Sequence, residues 1–207
     1  MAKKSRNGIG LPMWIACILL CLVLLTVYLS KDLYAKYATG DRSGMEARVA
    51  GYGALTLTET GDFSPGTAAI VLPGVNLTKR AVVDFAGGEV SSYVFAEITL
   101  SGHWSTADQR TFTVRSGEKV LLSWAVEAGW QYLTEEPGGT YVFYRALDAN
   151  QELHADLIAN GGLITVSDAM TAAEVATLND LFINLRATAV QANGFKTPAA
   201  AWASVVG

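Results

Sequence analysis

Residues 93–100 read Tyr-Val-Phe-Ala-Glu-Ile-Thr-Leu, with an apolar side chain at every even-numbered position. Successive side chains of a β-strand point to opposite faces, so the even-numbered residues would share one face of an extended chain. The odd-numbered residues mix aromatic side chains with the polar Glu97 and Thr99. This alternation predicts a strand with one buried face, in which Ile98 points into a core and Thr99 away from it.

Similar runs recur along the chain, separated by turn-forming sequences such as Gly87-Gly88 and Ser116-Gly117. They occupy residues 54–57, 81–85, 111–115, 119–126, 140–145, 162–166 and 181–190. No long helical pattern lies between them. Short strands in this arrangement predict an all-β fold, an antiparallel β-sandwich, rather than alternating strands and helices.

Two short helices are expected within this β-rich chain. Thr171 and Glu174 have the spacing of a capping box, in which each residue satisfies a backbone N–H at a helix start. Thr197 and Pro198 place an N-cap and a first-turn proline ahead of residues 199–206.

The chain before the sandwich carries a membrane-targeting pattern. Residues 11–29 contain no charged side chain and follow Lys3, Lys4 and Arg6. A segment of this length could cross a ~30 Å hydrocarbon layer, so it could be an anchor, a processed signal or both in succession. Leu33 and Ala35 stand at the −3 and −1 positions of a cleavage site, which predicts processing after Ala35.

These patterns divide the chain into three parts. Residues 1–35 form the signal peptide or membrane anchor, 36–49 a connecting segment, and 50–207 the β-sandwich domain. The connecting segment could be a strand donated to another subunit, a solvated stalk, or a first strand of its own sheet. Its candidate subunit contacts are its apolar side chains, whereas residues 40–44 interrupt any regular alternation. The candidate contacts are Tyr37, Met45, Ala47 and Val49, and Ala38 is a further apolar residue of the segment.

Composition argues against a nucleic-acid partner. The chain has a net charge of −4, and beyond residue 35 its acidic residues outnumber scattered lysines and arginines. Phosphate binding requires clustered basic side chains. Both cysteines, Cys17 and Cys21, lie inside the apolar segment, so the exported part is expected to fold without disulfides.

Catalytic motifs are scarce. His103 and His154 are the only histidines, and the sequence has neither a His-Glu-x-x-His zinc motif nor a Gly-x-Ser-x-Gly elbow. Glu152, His154 and Asp156 could share one face of an extended segment and bind a divalent ion, although alternating polar residues are more typical of a hydrated strand face. We therefore assign no catalytic, cofactor-binding or metal-binding residue, and predict that the protein is not an enzyme.

Aromatic residues are frequent between positions 104 and 144. Strand spacing predicts that most of them belong to the core, while a carbohydrate-binding platform is the alternative. They are Trp104, Trp124, Trp130, Tyr132, Tyr141, Phe143 and Tyr144.

Several short motifs follow one another in a characteristic order over nearly the whole chain. After the apolar segment come Tyr-Ala-Lys-Tyr at 34–37, Ala-Arg-Val-Ala at 47–50, Leu-Pro-Gly at 72–74, Ser-Tyr-Val-Phe at 92–95, a closing run at 189–195 and Ala-Ala-Trp at 200–202. In this order the chain resembles the TasA/camelysin family of exported proteins from Gram-positive bacteria. The resemblance implies a jelly-roll-like sandwich, processing by a SipW-type signal peptidase, and assembly into extracellular biofilm fibres.

The expected function is therefore that of a structural subunit. It would be exported to the cell surface or the extracellular space and would assemble with copies of itself or with related subunits through residues 36–49. The alternative is a sandwich held at the membrane by an uncleaved single-pass anchor and acting as an adhesion or ligand-binding module. Neither reading requires a cofactor.

Overall fold

Alternating apolar residues produce a protein built mainly of β-strands. The computed structural model describes residues 38–42, as backbone only, together with 53–63, 70–178 and 181–206. The strands are β1 (Ala38–Arg42), β2 (Leu55–Gly61), β3 (Leu77–Phe85), β4 (Ser92–Leu100), β5 (Ser105–Thr106), β6 (Thr111–Ser116), β7 (Lys119–Ala125), β8 (Gln131–Glu136), β9 (Thr140–Leu147), β10 (Leu153–Asp156), β11 (Leu163–Val166) and β12 (Ile183–Gln191). The helices are a short turn α1 (Ala159–Gly162), α2 (Ala172–Ala176) and α3 (Pro198–Val206).

The strands form two antiparallel sheets within a compact unit that spans residues 38–207. Sheet I has the order β1-β12-β4-β9-β8. Sheet II has the order β10-β3-β11-β7-β6-β5, and β2 also pairs with β3. The predicted all-β class with short helices is confirmed, as are the strands read from alternation. The candidate membrane segment at 11–29 lies outside the described residues, and no helix among those described has the length and apolarity needed to span a bilayer.

One long segment runs beside β3 with a break in its middle. Leu153 pairs with Phe85 at one end and Ile164 pairs with Leu77 at the other, while α1 bulges out between them. Gly162 closes this bulge with φ +89°, and a Cβ there would lie 2.4 Å from the Lys79 carbonyl oxygen. Only glycine combines this left-handed conformation with so close a backbone approach.

Most of the apolar side chains are buried in one continuous core. In β4, Val94, Ala96 and Ile98 are fully buried, whereas Thr99 is only half-buried. The Thr99 hydroxyl lies 2.8 Å from the Thr140 hydroxyl of the neighbouring strand. The core face predicted for the even-numbered residues of 93–100 is therefore the observed one.

A second, smaller apolar cluster has its centre on Phe95 and the terminal helix α3. The ring centroids of Trp202 and Phe95 are 5.2 Å apart, and the Trp202 indole N–H donates to Glu136 Oε1 at 3.0 Å. Phe95 has the odd parity of the β4 face opposite the core residues, yet it is fully buried. Strand alternation alone does not predict this burial, because it depends on the helix.

A buried ion pair joins β2 to β3. Lys79 Nζ lies 2.5 Å from Glu59 Oε2, and the two side chains are 2% and 3% exposed. The same ammonium donates to the Phe63 carbonyl at 2.7 Å. This second acceptor helps to offset the cost of removing both charges from water, and it fixes the chain just beyond β2.

The capping box predicted at the start of α2 is present. Thr171 accepts from the Glu174 backbone N–H, and the Glu174 carboxylate accepts in return from the Thr171 N–H at 2.8 Å. Lys119 Nζ lies 2.8 Å from the same carboxylate. The Lys119 ammonium, together with Thr171, lowers the pKa of Glu174 from 4.5 to about 2.

This shift predicts an acid-sensitive helix. A carboxylate whose folded-state pKa is depressed contributes stability above its unfolded pKa, and loses it as the pH falls through the window from 4.5 to about 2. Glu174→Gln should therefore have a lower urea midpoint than the wild type at pH 7, and the difference should shrink as the pH approaches 2.5. Midpoints measured at several pH values check this. A difference that stays constant with pH would show that Glu174 contributes no titratable stability.

Candidate strand-pairing site

Strand β12 is bonded on one side along its whole length. Its register with β4 runs without interruption from Ile183 opposite Leu100 to Gln191 opposite Ser92. Ile183, Leu185 and the small residues between them and Gln191 are buried, so this strand is a rigid part of sheet I. Its other side is therefore a fixed row of backbone N–H and C=O groups that a further strand can pair with.

Strand β1 occupies part of that row. It pairs antiparallel with β12, from Ala38 opposite Val190 to Arg42 opposite Arg186. Among the described residues, positions 183–185 of β12 lie beyond the reach of β1. The contact is thus a short edge strand held on a longer one.

The sequence of β1 is a poor match for a strand. It reads Ala-Thr-Gly-Asp-Arg, and glycine and aspartate are depleted in strands. Each main-chain hydrogen bond contributes only about 0.5–1.5 kcal/mol net, while ordering one residue costs about 1–2 kcal/mol. These two contributions are of similar size, so main-chain hydrogen bonds alone do not hold β1 firmly.

The opposite edge of sheet I is constructed differently. β8 pairs with β9 in a register that shifts between Tyr132 and Thr134, and it ends in Glu135 and Glu136. Bulges and charges are two of the devices by which proteins prevent edge strands from pairing with other chains. Sheet I is therefore better suited to extension beside β12 than beside β8.

Except for Ala38, which begins β1, the apolar residues singled out from the sequence between positions 33 and 49 do not belong to this strand. Leu33 and Ala35, expected at the cleavage site, lie outside the described residues, and so do Tyr37, Met45, Ala47 and Val49. The described strand covers residues 38–42, including part of the stretch whose glycines were expected to interrupt regular structure. No alternation signals this strand, because its position is set by the partner β12.

His154 and its acidic neighbours in the sequence have separate surroundings in the structure. His154 Nδ1 contacts Asp84 on the adjacent strand, and the two side chains are 74% and 43% exposed. Asp156 instead accepts from Arg80 Nε at 3.1 Å, and Glu152 lines an open cleft with Glu89. Within the described part of the chain, no three ligating side chains come together.

The aromatic residues between 104 and 144 mostly pack inside the sandwich. Trp104, Trp124 and Trp130 are buried, and the Trp130 indole N–H donates to the Asp156 carbonyl at 3.0 Å. Phe112 stacks on Trp124 with ring centroids 4.6 Å apart. The expectation that most of these rings belong to the core is confirmed, since Phe143 is also buried and Tyr132 and Tyr141 pack against the same core.

Comparison of the chain with protein-family models, with curated proteins and with solved structures finds no match in any of the three.

Proposed function

We propose that this protein is a structural, non-enzymatic subunit of an extracellular fibre or surface layer, and that it assembles through residues 36–49. The observation that carries the proposal is the pairing of β1 with β12. A weakly held segment occupies the edge of a firmly held sheet, so the same segment from a second copy could take that place and re-form the same main-chain bonds.

Strand exchange between copies re-forms the same main-chain hydrogen bonds that β1 makes within one copy. The bonds lost when β1 leaves its own sheet equal those gained when a neighbour's β1 binds, so subunit concentration decides between the closed monomer and a chain of subunits. When each copy donates its strand to one neighbour and accepts a strand from another, the contact is head-to-tail, and it stays open if the rotation between successive copies does not close a ring. An open head-to-tail contact produces a filament.

Export and a jelly-roll-like strand order belong to the same proposal. Residues 1–35 would direct the chain across the membrane, and a SipW-type peptidase would release Lys36 as the new N terminus. Release would free the segment that contains β1. The resemblance to the TasA/camelysin family supports this order of events, and the two-sheet architecture is compatible with it.

Mass spectrometry and electron microscopy test the proposal together. The protein recovered from the medium of producing cells should have the mass of residues 36–207, and after purification it should form filaments visible by negative stain. The comparison sample is the same protein kept below the concentration at which filaments appear.

Two results would contradict this function. Intact protein that remains in the membrane fraction as monomers would favour the anchored adhesion or ligand-binding module. Processed protein that stays monomeric at high concentration would show that cleavage does not lead to assembly.

A further inference from the structure

The outward surface of sheet II carries a feature that strand exchange does not use. A cavity of about 250 Å3 lies over the β5–β6 hairpin. Its lining combines four hydroxyl groups with a carboxylate and a guanidinium, while apolar atoms make up most of the exposed wall. These side chains, the hydroxyl groove, are Ser105, Thr106, Asp108, Thr111, Thr113 and Arg115.

Most hydroxyls of the groove already donate to an acceptor of the protein itself. Thr106 and Thr111 donate to the Asp108 carboxylate at 3.2 and 2.9 Å, and Ser105 donates to the Thr113 carbonyl at 3.2 Å. Backbone N–H groups of Thr111 and Arg110 hold the pKa of Asp108 at about 2, so this carboxylate stays ionised at neutral pH. The groove therefore presents oxygen acceptors to a ligand, with the Arg115 guanidinium as a donor beside them.

The hydroxyl groove continues as a straight row across four strands. Ser105 lies opposite Thr113, Thr113 opposite Ser123, and Ser123 opposite Thr165. None of the four is buried, and their inward neighbours Phe112, Trp124 and Ile164 are core residues. With strands ~4.8 Å apart, this hydroxyl row is about 14 Å long.

We propose that the hydroxyl groove and the hydroxyl row bind a neutral, extended polysaccharide, with one sugar unit in the groove and the following units along the row. Sugar hydroxyls both donate and accept, so they match a surface of oxygen acceptors with a guanidinium at one side. A pyranose ring is about as wide as the spacing of neighbouring strands, which places one sugar on each strand.

Charge and the small net energy of each hydrogen bond narrow the class of carbohydrate further. The net charge of −4 and the ionised Asp108 disfavour an acidic polysaccharide. Since each hydrogen bond exchanged with water adds little net affinity, a single sugar would bind weakly. A polymer that contacts several strands at once gains from repeated contacts. A polysaccharide is therefore favoured over a free monosaccharide.

Affinity electrophoresis of the full-length chain, kept in solution with a polyoxyethylene detergent, tests the proposal. The native gels contain either hydroxyethyl cellulose, an extended β-1,4-glucan, or dextran, a flexible α-1,6-glucan. The wild type should be retarded by hydroxyethyl cellulose. Thr113→Val combined with Thr165→Val should weaken this retardation about five- to tenfold, because two hydroxyls are lost without a change in side-chain shape.

Thr58→Val is the matched control, since Thr58 is also an exposed threonine of sheet II but lies on β2, outside the row. It should migrate like the wild type. The proposal is overturned if hydroxyethyl cellulose does not retard the wild type, if only dextran does, or if the double variant is retarded as strongly as the control. None of these outcomes depends on filament formation, so the experiment tests polysaccharide binding independently of strand exchange.

Discussion

Ile98→Ala is expected to lower the free energy of unfolding by about 2–5 kcal/mol, a large part of the ~5–15 kcal/mol typical of a whole domain. Ile98 is fully buried in the centre of β4, with Leu185 and Tyr141 opposite it on the two neighbouring strands. Strands on both sides hold the backbone in place, so the cavity left by the truncation cannot collapse fully.

Thr99→Ala is the matched comparison, one residue along the same strand. It removes the hydroxyl contact with Thr140 from a half-buried position, which should cost no more than about 0.5–1.5 kcal/mol. Urea denaturation of both variants, with slopes checked against the wild type, measures the difference. Equal destabilisation by the two substitutions would show that the core does not lie on the Ile98 face of β4.

The strands that could be predicted from the sequence are those with one buried face. In β4 and β12 the buried positions alternate where only one face of the strand is covered, at residues 96–100 and 183–187. The same alternation of positions also places the two residues of the buried ion pair on the core faces of β2 and β3. Glu59 has the parity of the buried Leu55 and Leu57, and Lys79 has that of the buried Leu77 and Ala81.

Other strands have no such pattern, for identifiable physical reasons. β8 contains a bulge after Tyr132, which shifts its alternation by one residue. β5 is two residues long, too short for any periodicity. The burial of Phe95 depends on Trp202, more than a hundred residues away in the sequence, and no local pattern reports such a contact.

The two candidate sites could be predicted from the sequence to different degrees. Strand donation by residues 36–49 is proposed from their position between the expected cleavage site and the first convincing strand. That β12 is the partner strand could be recognised only in the structure. The hydroxyl row was not predictable, because Ser105, Thr113, Ser123 and Thr165 are brought into line only by the registers of three strand pairs.

Removal of residues 36–49 is expected to abolish filament formation while leaving a folded, soluble monomer. Among the residues whose burial the structure describes, the core begins at Leu55, and β1 adds a short edge strand to sheet I. The truncated chain should therefore keep its far-ultraviolet circular dichroism and most of its thermal stability. Its β12 edge would be open, and a synthetic peptide of residues 36–49 should bind there.

A single substitution tests whether filament formation requires pairing of β1 or only a segment of this length. Gly40→Pro in the full segment removes a backbone N–H in the middle of β1 and restricts its φ, so it should block filaments as the deletion does. Gly40→Ala keeps the N–H and should still allow assembly. Electron microscopy and sedimentation of the three variants at equal concentration give the comparison.

The possible results distinguish the three roles considered for this segment. Normal filaments from the truncated chain would mean that residues 36–49 are a stalk. Unfolding of the truncated chain would mean that β1 is an indispensable first strand of its own sheet. A folded monomer that binds the free peptide at β12 would support strand donation. In that case the β12 edge forms without β1 and can accept this strand from another molecule.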